Sequence, residues 1–218
     1  AFPPVGEALT EPDGLLCAGG DLSEARLLEA YRRGVFPWYS EGQPILWWSP
    51  DPRAVLFPGE FRVSRSLSKT LRNRGFEATF DRAFGEVIRR CADVRVRPDG
   101  TWITPQVSAA YQRLHTAGFA HSVETWLDGQ LVGGLYGVAL GRVFFGESMF
   151  SLQRDASKVA FKQLVDRSLA LGVDLIDCQV SNPHLSSLGA RDLPRHEFVA
   201  RIARAIPDLM PVVGWTQR

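Results

Sequence analysis

The stretch from residue 120 to residue 150 limits the fold more than any other. It holds three runs, 120–127, 130–140 and 142–150, separated only by Asp128-Gly129 and Gly141-Arg142. Separations that short, with that turn chemistry, predict hairpins, so the three runs form an antiparallel meander. A helical pattern from Asp155 to Leu171 follows, with Val159, Leu164 and Leu169 apolar, and then the short run Leu175-Ile176-Asp177-Cys178-Gln179. Three strands, a helix and a returning strand give an α+β protein with a mixed sheet, the last strand lying beside the meander. Gly133, Gly134 and Gly137 would weaken the middle strand unless another backbone or a ligand approaches closely there.

The flanking segments read as helices and loops. Residues 1–22 form loop with one short strand, then a helix capped by Asp21 or Ser23 carries Leu27, Leu28 and Tyr31 and stops at Gly34. Pro50, Pro52 and Pro58 punctuate the chain, so a boundary near residue 51 separates a small N-terminal domain (1–51) from a larger one (52–218). Ser64 opens a helix with Leu67 and Leu71, and a strand at 76–80 leads to Asp81, read as the cap of a helix with Phe84, Val87, Ile88 and Cys91 inward. After a polar loop at 94–100, Thr104-Pro105 starts a helix with Val107, Ala110, Tyr111 and Leu114 on its stripe. A final helix spans about Pro194 to Ala205.

Composition excludes several classes. An apolar content of 45% and charged content of 22% are those of a globular protein rather than a disordered or fibrous one. Cys17, Cys91 and Cys178 have no metal-type spacing, which argues against a disulfide framework or a zinc site and favours a reducing compartment. No apolar run approaches the roughly 18–20 residues needed to cross a bilayer. The start Ala1-Phe2-Pro3-Pro4 does not read as a signal peptide, so a cytoplasmic protein without membrane contact is expected.

Several residues stand out against this background. Asp177 and Gln179 alternate onto one face of their strand while Ile176 and Cys178 take the other, and a carboxylate beside an amide on a half-buried strand needs a polar partner. A strand end satisfying its own loops is the plainer explanation. On the third meander strand, alternation places Glu147, Met149 and Ser151 together, suggesting an apolar bowl with an anionic rim, or simply a core Met and an acid paired to an Arg. Two acids on adjacent strands without evident structural cations imply a cationic ligand or an amine to be deprotonated. Between residues 61 and 97 stand ten basic side chains against four acidic ones, in a chain of net charge +1. Arg62, Arg65, Lys69, Arg72, Arg74, Arg89 and Arg90 are the candidates for contacting a phosphate backbone, with a solvated helix face as the alternative. Trp47 and Trp48 point opposite ways on a strand, so at least one is core, whereas Trp38 and Trp102 sit in loops, where stacking platforms for bases are found. None of the four histidines completes a catalytic arrangement.

Nine strings, taken in order, resemble one family. They are FPWYSEGQPILWWSPDPRAVL (36–56), GTWIT (100–104), AYQRLH (110–115), AHSVE (120–124), LVGGLYGVALG (131–141), GESMFS (146–151), DASK (155–158), LIDCQ (175–179) and SLGA (187–190), and together they are similar to the bacterial leucyl/phenylalanyl-tRNA–protein transferases. The resemblance implies transfer of leucine, phenylalanine or, less well, methionine from aminoacyl-tRNA to a protein beginning with Arg or Lys, which marks that protein for degradation. It implies a small N-terminal domain joined to a domain with the fold of GCN5-related N-acetyltransferases. It also implies a catalytic pair at Asp177 and Gln179, an acidic pocket residue at Glu147, and tryptophans for the terminal adenosine at Trp38 and Trp102. The implied donor side-chain bowl is Leu135, Phe144, Gly146, Met149, Ser151, Phe161, Leu164 and Ile176. A monomer acting without cofactor or metal is expected, because the aminoacyl ester is already activated.

On this basis Asp177 is expected to attract the acceptor's ammonium or cationic end and Gln179 to align the amine by its carbonyl oxygen. Glu147 is left to hold either the donor's α-ammonium or the acceptor's side chain. One rival is a coenzyme-A-dependent acyltransferase, but the loop Leu152-Gln153-Arg154-Asp155-Ala156-Ser157-Lys158 lacks the glycines whose amides would hold a pyrophosphate. The other is a non-enzymatic RNA-binding module, which leaves Glu147, Asp177 and Gln179 without a purpose.

Overall fold

The computed structural model of the protein describes residues 1–94 and 101–216. The polar loop expected at 94–100, with Arg95 and Arg97 of the basic run, lies outside the described residues except for Val94. Ten strands and seven α-helices are described among these residues. In chain order they are β1 (Leu15–Ala18), α1 (Glu24–Arg32), β2 (Phe36–Pro37), β3 (Leu46–Trp48), β4 (Arg53–Leu56), α2 (Arg65–Asn73), β5 (Glu77–Phe80), α3 (Phe84–Asp93) and α4 (Pro105–Thr116). There follow β6 (Ala120–Leu127), β7 (Gln130–Leu140), β8 (Val143–Ser151), α5 (Ala156–Ala170), β9 (Leu175–Gln179), α6 (Pro183–Ser187), β10 (Arg191–Leu193) and α7 (Arg195–Ala205).

The large sheet has the order β10-β4-β9-β8-β7-β6-β5, and a small sheet has the order β1-β3-β2. The meander and its two short turns are those expected, with Asp128 and Gly129 both at positive φ. Among the described strands only β8 and β9 run parallel, because α5 carries the chain back over the sheet between them. The Asp177 strand therefore sits in the interior of the sheet, with β4 on one side and β8 on the other. Gly133 accounts for how closely α5 packs, since a Cβ there would stand 2.6 Å from the Ala156 Cβ. Gly137 is still tighter, its Cβ site lying 2.2 Å from the Phe145 carbonyl oxygen.

Side chains of β7 and β8 divide between two cores. Tyr136, Val138, Phe145 and Phe150 pack with α1, α3, α4 and α7, and the same core takes in Leu27, Tyr31 and Trp47 from the first fifty residues. Leu135, Ala139 and Phe144 face α5, with Phe161, Leu164 and Trp215. Thr104 caps α4 and Ser64 caps α2 through their hydroxyls, as their sequences predict. Asp81 does not cap α3. Ala83 occupies that position, while Asp81 adopts φ 57° and accepts hydrogen bonds from the Ser122 amide and, at 2.8 Å, from His121.

Candidate active site

The parallel ladder between β8 and β9 is short. It runs from Val143↔Leu175 to Phe145↔Asp177 and then stops. Beyond that point the strands separate, and a cleft of about 720 Å³ opens in the fork. That volume suits a small-molecule or nucleotide-sized ligand. Residues 146–149 line one side, residues 176–182 the other, and Trp38, Trp48 and Trp102 stand at the wall contributed by the N-terminal segment and the approach to α4.

The divergence begins at a β-bulge. Tyr136 pairs with Ser148 and Gly137 with Gly146, so Glu147 is the extra residue on β8 and has no partner. A bulge shifts the phase of the alternation by one residue. The expectation that Glu147 and Met149 share a face is therefore overturned: Met149 packs with the α5-side core, and Glu147 turns to the face of Asp177 and Gln179. The missing side chain of Gly137 opposite leaves room for the kink, because any Cβ there would collide with Phe144 and Phe145.

Three groups receive the Glu147 carboxyl. Tyr31 from α1 donates to Oε1 at 2.6 Å, Tyr111 from α4 donates to Oε2 at 3.0 Å, and Gln179 Nε2 donates to Oε1 at 3.3 Å. The two tyrosine hydroxyls also lie within hydrogen-bond reach of each other. Burial drives the Glu147 pKa up to about 7, against the tyrosine hydrogen bonds that pull it back. The Asp177 charge adds a smaller push upward and Arg53 a smaller pull downward. Both phenols are pushed well above their ordinary range, first by burial and then by the neighbouring carboxylate.

Asp177 is fully buried and does have a structural cation, which corrects the reading of two acids without one. Arg53 Nε donates to Oδ1 at 2.8 Å and Nη2 to Oδ2 at 2.7 Å, with side-chain exposures of 1% and 0%. The guanidinium also donates to the Gly34 carbonyl at 3.1 Å and lies over the rings of Phe36 and Phe198. Asp177 Oδ1 in turn accepts the Gln179 amide at 2.9 Å, and Gln179 adopts φ 64°. That region is sparsely populated for a non-glycine residue and marks a backbone held in place by its surroundings. An anchored chain thus runs from Arg53 through Asp177 to Gln179 and ends at Glu147, whose side chain reaches the cleft.

The other sequence candidates fall in several places. Leu135, Gly146, Met149, Phe161, Leu164 and Ile176 line the cleft together. Phe144 lies beneath them, fully buried against Trp215. Ser151 is exposed at the far end of β8, where its hydroxyl donates to the Gln153 carbonyl and accepts the Ser157 amide, outside the cleft lining. Trp38 is 50% exposed and packs edge-on against Trp48, whose indole N–H donates to the Trp38 carbonyl. Trp47 is core. Cys178 borders the cleft, but burial, with Asp177 beside it, pushes its thiol far above the ordinary range and leaves it a poor nucleophile. In the basic run, Arg89 and Arg90 are tied to Glu86, and Arg89 also to Asp93. Arg62, Arg65, Lys69, Arg72 and Arg74 are exposed and have no carboxylate within ion-pair distance among the described residues. Among those residues no group of three His, Cys, Asp or Glu is placed to hold a metal, and no helix is long and apolar enough to cross a membrane.

Arg53, Tyr31 and Tyr111 are the site residues that sequence reasoning missed, and of the pair Trp47 and Trp48 it is Trp48 that reaches the cleft. Arg53 had a visible signal, a lone cation at the head of the apolar run Arg53-Ala54-Val55-Leu56-Phe57.

These features define an α+β protein whose central parallel strands part over an apolar bowl with a hydrogen-bonded carboxyl group at the fork. Among solved structures, a GCN5-related N-acetyltransferase from Kribbella flavida is similar with a TM-score of 0.42 and 15% identity, covering 74% of this chain and 57% of that one. Sequence comparison is far more specific. Residues 20–51 match the leucyl/phenylalanyl-tRNA protein transferase N-terminal domain, and residues 55–203 match the leucyl/phenylalanyl-tRNA protein transferase family model. The leucyl/phenylalanyl-tRNA–protein transferase of Chromobacterium violaceum is 58% identical over 98% of this chain and 92% of its own length. That of Chromohalobacter salexigens is 64% identical over 91% of this chain and 78% of its own. The chain belongs to the leucyl/phenylalanyl-tRNA–protein transferase family.

Proposed function

We propose that this protein transfers leucine or phenylalanine, and methionine less well, from aminoacyl-tRNA to the α-amino group of proteins that begin with Arg or Lys. The observation that carries this reading is the juxtaposition, in one cleft, of an apolar bowl, three wall tryptophans of which Trp38 is exposed, and a carboxyl–amide pair. The bowl of Leu135, Met149, Phe161, Leu164 and Ile176 takes the donor side chain. Unbranched and γ-branched side chains fit such a bowl, whereas a β-branched one meets the wall near its backbone at a cost of about 1–3 kcal/mol per misplaced methyl. Trp38 and Trp102, with Trp48 beside them, stack the terminal adenosine.

Catalysis needs no activation step, because the donor is already an ester. What remains is to align a neutral amine with the ester carbonyl and to manage a proton. The Gln179 side chain, fixed by its strained backbone and by Asp177, aligns the amine through its carbonyl oxygen while its amide nitrogen rests on Glu147. Asp177 acts through Gln179 and balances Arg53. The exposed cations of α2 stand beside α5, whose Phe161 and Leu164 line the bowl, and suit the phosphate backbone of an acceptor stem. The enzyme works as a cytoplasmic monomer and supplies N-termini that mark proteins for degradation. Incubation with phenylalanyl-tRNA and an Arg-initiated peptide, read by mass spectrometry, gains one phenylalanine residue at the peptide N-terminus; absence of that increment sinks the reading.

A further inference from the structure

The three oxygen groups at the fork contain a mismatch in hydrogen count. Tyr31 Oη, Tyr111 Oη and the Glu147 carboxyl make three mutual oxygen–oxygen contacts. With Glu147 ionised, only two hydroxyl hydrogens exist to fill them. Whichever way the phenols turn, one contact places lone pair against lone pair. One added proton on the carboxyl completes the ring: Glu147 donates to Tyr111, Tyr111 to Tyr31, and Tyr31 back to Glu147. Each group then donates once and accepts once around the ring.

We propose that Glu147, Tyr31 and Tyr111 form a one-proton acceptor that takes the proton of the incoming α-ammonium group, with Glu147 as the base and the tyrosines as positioning residues. This rests on the transferase reading above and assigns it the proton's destination. Glu147 lines the cleft, whereas Tyr31 and Tyr111 lie behind it with no exposed surface. A proton therefore enters from the substrate side and is received by a buried frame. Asp177 is unsuited to the task, since both of its oxygens are held by Arg53 and one also by the Gln179 amide. The charged and titratable groups facing Glu147 are Tyr31 from α1, Tyr111 from α4, Asp177 from β9 and Arg53 from β4, with Tyr39 behind Tyr111. Asp177 and Arg53 act on Glu147 in opposite directions, the Asp177 push being the larger. Burial raises the affinity of the carboxyl for a proton to the range in which it exchanges with an α-ammonium near neutral pH.

In the transfer itself, the Glu147 carboxylate takes one proton from the ammonium, and the neutral amine attacks the ester carbonyl. The C–N bond forms, the C–O bond to the ribose breaks, and the amine's next proton goes to the departing ribose oxygen. Glu147 returns its proton to water after the product leaves.

The test combines a direct titration with single-turnover transfer. Protein carrying ¹³C at its glutamate carboxyl carbons is titrated, the Glu147 signal being the one absent from Glu147→Gln. The expected midpoint is about 7. Tyr31→Phe and Tyr111→Phe each remove a hydrogen bond to the carboxylate together with the contact that only a third hydrogen fills, and so move that midpoint by about one pH unit. The pH limb of phenylalanine transfer to an Arg-initiated peptide moves with it and is lost in Glu147→Gln. A merely structural role for the phenols would lower rates without moving either midpoint. A parent enzyme that transfers, but whose Glu147 carboxyl titrates below about pH 5 in the ordinary range or stays put in both Phe variants, overturns the proposal alone. An enzyme that transfers nothing at any pH overturns the transferase reading, and the base assignment falls with it.

Discussion

Replacing Asp177 by Asn keeps the shape of the side chain but leaves the Arg53 guanidinium buried without its counter-ion. Arg53 has 1% of its side chain exposed, so water cannot make up the loss. Removing one partner of a buried pair costs about 3–5 kcal/mol. For a chain of this size each kcal/mol lowers the melting temperature by about 2–4 °C, so Asp177→Asn melts roughly 6–20 °C below the parent. Arg53→Met removes the charge from the other side and is comparably destabilising. In the double variant Arg53→Met/Asp177→Leu no charge remains buried, although the Gly34 carbonyl and the Gln179 amide lose partners at about 1–3 kcal/mol each. At the middle of these ranges the double variant is therefore less destabilised than the sum of the singles by about 4 kcal/mol. Urea unfolding followed by the fluorescence of the six tryptophans measures all three. If Asp177→Asn melts within a degree or two of the parent, or the singles simply add, the pair does not anchor the strand.

Further outcomes are expected elsewhere in the molecule. Because the folded-state pKa of Glu147 is raised from 4.5 to about 7, the folded protein holds more protons than the unfolded chain between those values. Stability therefore falls as pH rises through that window, by about 1–3 kcal/mol after allowing for the partial exposure of the carboxyl, and Glu147→Gln flattens the slope in parallel urea titrations. Trp38→Ala and Trp102→Ala each weaken donor binding by about 1–3 kcal/mol, roughly 5- to 150-fold, with little change in kcat. Binding of tRNA weakens steeply with added salt, and Lys69→Ala or Arg72→Ala reduces the slope of log K against log salt by about 0.9 for each phosphate left without its cation. Salt-independent binding would remove α2 from the interface.

Sequence periodicity was enough to place the meander, α5 and the Asp177 strand, helped in the meander by the turn signals Asp128-Gly129 and Gly141-Arg142. It also set Cys178 and Asp177 on opposite faces correctly. The face of Glu147 was not legible, since a bulge shifts the alternation without leaving a residue of its own to announce it, and Gly137 opposite reads only as a weak strand position. Arg53 escaped for a different reason. Its partner lies 124 residues away, and local pattern carries no information about pairing at that range. Tyr31 and Tyr111 fell on apolar helical stripes and read as core, which they are; their hydroxyl groups reach the site only through a carboxylate delivered by another element. The strands β2, β4 and β10 have four residues or fewer, too few to establish a period.

The first fifty residues do more than decorate the sheet. They supply Tyr31 to the Glu147 carboxyl, the Gly34 carbonyl and the Phe36 ring to the Arg53 guanidinium, and Trp38 and Trp48 to the cleft wall. A molecule in which that segment has not yet docked would hold an uncovered ion pair and an acid without its phenols. Competence for chemistry is thereby coupled to the docking of that segment, and a copy in which it is displaced is expected to be silent rather than a promiscuous acylator of free amines.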